Sequence, residues 1–306
     1  MATTSPALAA RPVARSSLTR SRYLFVAAAL TPIMLIYFAL RVVPIAQTFW
    51  MSFHDYRLVG NRPFIGLDNY LFLLEDQNFW TALRNTTWFA VFTVFFSVIL
   101  GLLVAVALSG RIRFRSWYEA IYFIPVITPM VPVAIAWKWI YDPTYGLLNY
   151  LLGTVGIAPV GWLIYPTTAL WAIVAMSVWK VVGYNMIIFL VGIRNIPELY
   201  YEAAAIDGAT RFQQFWKITL PLLKPIVLFV TVVSTINAYN VFTQVYVMTT
   251  GSQGAPGNAV RVLVFDMYEN AFRYFKMGYA SAEAVVLFLI ILGLTAIQFK
   301  LIRYDT

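Results

Sequence analysis

Long apolar runs constrain this chain more than any other feature. Six of them, at roughly 23–50, 85–109, 119–140, 167–193, 221–248 and 279–302, reach the length a helix needs to cross a bilayer. Lipid offers the backbone no hydrogen-bond partner, so such runs must satisfy themselves as helices. The chain is 61% hydrophobic and 11% charged over 306 residues, a balance that excludes a soluble domain. The expectation is an all-α polytopic membrane protein with six transmembrane helices over 23–306. A disordered tail over 1–22, made of Ala, Ser, Thr and Arg without apolar period, should precede them. Leu24 to Phe53 is too long for a signal-peptide core and lacks a clear cleavage site, so it reads as an uncleaved first span. Pro125, Pro129 and Pro132 predict a kink in the third span.

Charge gives the orientation. Arg11, Arg15, Arg20, Arg22, Arg111, Arg113, Arg115, Arg194, Arg211, Lys217, Lys224, Lys300 and Arg303 fall on one side; Arg57, Arg62, Arg84, Arg261, Arg273 and Lys276 fall on the other. The richer side is cytoplasmic by the positive-inside rule, which puts both termini and the segment 194–220 inside. This distribution accounts for the net charge of +9 without invoking nucleic acid.

Several chemistries drop out. There is no cysteine, hence no disulfide, thiol catalysis or cysteine metal site. His54, the one histidine, makes neither a metal site nor a Ser-His pair alone. No Gly-Lys pair occurs, so there is no phosphate-binding P-loop. Glu75, Asp76, Asp266 and Glu269 read as solvated or docking carboxylates, not as a catalytic pair.

A polar island separates the fourth and fifth runs. Pro197 suits a helix start, and Leu199, Ala203 and Ile206 form one apolar stripe. Glu198 and Glu202 share another face. Gly208 can take the left-handed conformation that ends a helix, and Thr210 with Gln213 fits a capping box for a second. The island predicts helix, sharp turn, helix.

The same island carries a resemblance. Glu202-Ala203-Ala204, then Gly208, then Ile218-x-Leu220-Pro221 resembles the EAA loop of ABC importer permeases. Phe64-Ile65-Gly66-Leu67-Asp68-Asn69-Tyr70 and Asp142-Pro143 with Gly146-Leu147-Leu148-Asn149 resemble outer loops of the carbohydrate-importer branch, maltose-type first permease subunit. The resemblance implies the type I importer permease fold in the cytoplasmic membrane of a prokaryote. It implies that 194–220 is a coupling loop docking into a cytoplasmic ATPase through Glu202, Ala203, Ala204, Asp207 and Gly208. The implied partners are a second permease subunit, an ATPase dimer and an external solute-binding protein. The chain itself would hold no cofactor and be no enzyme, ATP and Mg being bound by the ATPase subunits.

Polar groups inside the spans are costly and face protein or a wet cavity. Ser177, Lys180, Val181 and Tyr184 share one face of the fourth span; Asn237 and Asn240, with Gln244 a turn further on, lie in the fifth. They should face each other, a partner chain or a hydrated path. By resemblance, Tyr184, Asn237 and Asn240 match sugar-contacting positions. Ser177 stands where the maltose-type subunit has an amide, and Lys180 departs from it too. Lys180 would suit an anionic substrate such as a glycerol phosphate ester. It could instead form, with Glu283, the relay of an ion-coupled secondary transporter, although Glu283 reads as an interfacial carboxylate at the start of the last span.

Overall fold

A computed structural model describes residues 15–57, 60–110, 112–249 and 257–301. Most of the expected tail, together with the glycine-rich stretch 251–256, Arg111 and Arg303, lies outside them. The chain forms two compact units, Met1–Trp50 and Met51–Thr306.

In the first unit, helix α1 (Arg15–Tyr37) begins inside the segment expected to be tail. It runs through a π-helical turn at Phe38–Val42 into α2 (Val43–Ser52).

In the second unit, α3 (Asp68–Glu75) leads into α4 (Gln77–Ser109), started by Asp76, whose side chain accepts from the Asn78 N–H. Next come α5 (Arg115–Ile127) and α6 (Met130–Ile140), then α7 (Leu147–Thr154) and the 29-residue α8 (Pro166–Arg194). The island gives α9 (Glu198–Ile206), then α10 (Arg211–Gln214), a π-helical turn and α11 (Leu220–Leu222). The last elements are α12 (Lys224–Tyr239), α13 (Thr243–Thr249), α14 (Leu263–Tyr268) and α15 (Met277–Leu301).

Among the described residues, four helices are long and apolar enough to cross a membrane, or six spans if each of two bent pairs counts as one. The third span is broken, not merely kinked: α5 and α6 meet at 100°. The fifth differs too. Its helix starts at Arg211, bends by 66° at Leu223, and stops at Tyr239, so the run to 248 is divided between α12 and α13. Pro225 in the first turn of α12 explains the bend.

The centre of the unit is the pair α4 and α8, with α5 laid on α8 and α12 on α4. Helices in lipid gain little from hydrophobicity toward each other, so close packing has to hold them. Small residues supply it. A methyl group on Gly183 would collide with the Tyr122 carbonyl of α5. Phe89, Ile173, Met176 and Phe189 fill the remaining space and are fully buried.

Candidate functional site

The segment 194–220 is built as its residues require. Ala209 N–H donates to Ala204 O at 2.8 Å and Gly208 N–H to Ala205 O at 3.1 Å, the paired bonds of a Schellman end, with Asp207 as C-cap. Gly208 takes φ +77, and no atom lies within 4 Å of where its Cβ would be. Thr210 and Gln213 form the capping box. Tyr201 and Thr219 share a hydroxyl bond of 2.9 Å, which ties the two helices together. Outward, Leu199 is 71% and Ile206 87% exposed, while Glu202 and Ala203 are also open. A helix with a bare apolar edge and a free carboxylate is suited to enter a cleft in another protein.

The polar row in the spans divides. Tyr184, Asn237 and Asn240 are exposed in this chain and Gln244 is half-buried, on helices α8, α12 and α13, of which α12 and α13 both pack on α8. Asn240 caps its own helix, its Nδ2 donating to Ile236 O at 2.7 Å. Ser177 is buried, and its Oγ meets no hydrogen-bond partner among the described residues. Asn185, not singled out by the sequence, is fully buried against Gly101 with both amide atoms in the same condition.

Lys180 has a structural engagement. Its Nζ donates to Pro125 O at 2.8 Å and to Thr128 O at 2.7 Å. In a continuous helix those carbonyls would accept from residues 129 and 132, four places on. Both are prolines without an N–H. The ammonium therefore takes the place of two missing backbone donors at the break.

Among the described residues Lys180 and Glu283 do not pair with each other. Glu283, expected to face the membrane interface, is enclosed by protein. It is fully buried and accepts from Asn270 Nδ2 at 3.1 Å. Among the loop carboxylates Glu75 is exposed as expected, but three others need the same correction. Asp76 accepts from Tyr279 at 2.8 Å. Asp266 and Glu269 are buried and grip Arg261 at 2.6 and 2.8 Å; Glu269 also holds Arg273 at 2.7 Å. Burial works against the Arg261 charge, but Asp266 and Glu269 outweigh it and hold the guanidinium above its usual range.

Beside this ion cluster lies a cavity of about 580 Å³, lined by Tyr246, Phe265, Tyr268, Phe272, Arg261 and Arg273 among others. Sequence reasoning passed over it because its walls come from separate segments. Phe265, Tyr268 and Phe272, spaced by three and four, were the available signal.

A helical unit with several apolar helices, polar groups set into them and one exposed helix pair has the build of a membrane transport subunit. The chain belongs to the family of binding-protein-dependent transport system inner membrane components, which it matches over residues 97–303. It is 36% identical over 274 residues to the trehalose/maltose transport system permease protein MalF of Thermococcus litoralis, covering 89% of this chain and 92% of that protein. To the arabinooligosaccharides transport system permease protein AraP of Bacillus subtilis it is 34% identical over 281 residues, covering 91% and 87%. Its fold matches a subunit of a bacterial ABC transporter that imports the acidic polysaccharide alginate, with TM-score 0.83 and 22% identity over 94% of this chain and 98% of that one. The fold is thus the type I importer permease fold that the EAA resemblance implied.

Proposed function

We propose that this chain is one of two membrane subunits of an ATP-driven importer that moves a di- or oligosaccharide delivered by an external solute-binding protein. The observation that carries the reading is the exposed α9 helix, closed by Gly208 at φ +77 and continued by the capping box, within a chain of this family. Relatives named for trehalose, maltose and arabinooligosaccharides support the substrate class.

In this reading both termini and α9 are cytoplasmic. Glu202, Ala203, Ala204 and Asp207 enter a cleft of an ATPase subunit, which binds ATP and Mg. Closure of the ATPase dimer moves α9, and the permease pair rocks from inward-open to outward-open. Tyr184, Asn237, Asn240 and Gln244 offer phenol and amide groups to sugar hydroxyls, with Ser177 behind them. Lys180 supports this wall by holding the α5–α6 break. Its ammonium gives two of its three donors to carbonyls, which leaves one for a substrate such as a glycerol phosphate ester.

The test is to purify the tagged chain from its native membrane and reconstitute what comes with it. An ATPase and a second permease should co-purify, and sugar-loaded binding protein should stimulate ATP hydrolysis. A chain that emerges alone and moves solute without ATP would overturn the reading.

A further inference from the structure

We propose that the cavity beside Arg261 is an outer sugar subsite, the upper end of an aromatic ladder that leads a saccharide toward Asn240. The proposal rests on the reading that this chain transports sugar. Four rings make the ladder. Phe242 stacks on Tyr246 with centroids 5.4 Å apart and lies 5.2 Å from Tyr268; Tyr268 lies 5.5 Å from Tyr246 and 5.3 Å from Phe272. Phe242 is two residues beyond Asn240, and Tyr246 two beyond Gln244, so the ladder overlaps the outer end of the span's polar row. Phe272 is 59% exposed and Tyr268 37%, leaving ring faces open.

The chemistry selects a saccharide. A pyranose has an apolar face of C–H groups and a rim of hydroxyls. Ring faces suit the first. Arginine and carboxylate groups held rigid by their own ion pairs suit the second, because they can donate and accept without reordering. Two guanidinium groups, Arg261 and Arg273, are paired with two carboxylates, Asp266 and Glu269, so the ion cluster beside the cavity carries no surplus charge. That balance favours a neutral sugar over a uronate or phosphate. The volume of about 580 Å³ lies within the range of small-molecule sites. A ladder that reaches from Asn240 to Phe272 serves a ligand longer than one occupying the polar row alone, so its effect should grow with chain length.

The experiment uses the reconstituted importer with its binding protein and a series of neutral saccharides from disaccharides to pentasaccharides. Tyr268→Ala and Phe272→Ala should raise KM for the longer sugars by roughly three- to tenfold, the size of one lost ring contact, and leave kcat unchanged. Disaccharide transport should move less than about twofold, a change worth under half a kcal/mol. Tyr268→Phe should keep the long-sugar KM. Because the chain has no cysteine, Phe272→Cys gives a single labelling site. A membrane-impermeant maleimide should react with it, and saturating trisaccharide should slow the reaction. Equal losses for short and long sugars, no loss for either, carriage of disaccharides alone, or a cysteine unreactive with and without sugar would each overturn the subsite. If the wild-type complex carries no saccharide at all, the transport reading falls and takes the subsite with it.

Discussion

Lys180 shows how one residue can be legible in kind while its partners are not. Its position in mid-span marked it as costly and partnered. Its partner could not be read, because the acceptors lie 55 and 52 residues away and exist only once two prolines have broken a helix. Replacing Lys180 with Met should lower the thermal midpoint of the detergent-solubilised protein, with a loss of about 1–3 kcal/mol for the orphaned carbonyls. In a Pro129→Ala, Pro132→Ala background the same replacement should cost less, because backbone N–H groups return. A double-mutant cycle on melting midpoints checks this, and strict additivity would refute the donor-substitution account. Asp266, Glu269 and Glu283 were misread for a related reason. Sequence shows charge but not the Arg261 and Asn270 groups that allow burial.

At the scale of elements, the long apolar helices and the helix–turn–helix of the island were visible in the sequence, while the bounds of the first and fifth runs were not. Hydropathy periods and cap residues act locally, which is why they could be read. The 100° break between α5 and α6 and the 66° bend before α12 were not visible in magnitude, since tertiary support sets how far a proline opens a helix. The cap at Gly208 makes a sharp prediction. No atom crowds its absent Cβ, so the cost of a side chain is backbone strain alone, about 1–2 kcal/mol. Gly208→Val should leave the protein folded but sever sugar-stimulated ATP hydrolysis from transport. Gly208→Asn, which tolerates the left-handed conformation, should retain most of it. Coupled ATPase assays with a melting control separate the two. Gly183→Ala is the contrasting case. There the added methyl meets the Tyr122 carbonyl, so packing of α5 on α8 should loosen by about 1–3 kcal/mol, read as a lower melting midpoint.

For the whole molecule, the proposed orientation has a direct check. Tyr145 is 92% exposed between α6 and α7, and Leu199 is 71% exposed on α9. In intact cells, an impermeant maleimide should label Tyr145→Cys at once and Leu199→Cys only after the membrane is opened. The reverse pattern would invert the topology. The Lys180 contact also has a consequence for the order in which the protein is made. The broken third span leaves the ribosome 55 residues ahead of the side chain that completes it. At about 5–20 residues per second, that is a delay of several seconds. During it, the carbonyls of Pro125 and Thr128 must be served by water, lipid headgroups or the insertion machinery. The break between α5 and α6 is therefore made before the ammonium that serves its two carbonyls, and it is completed only when α8 follows.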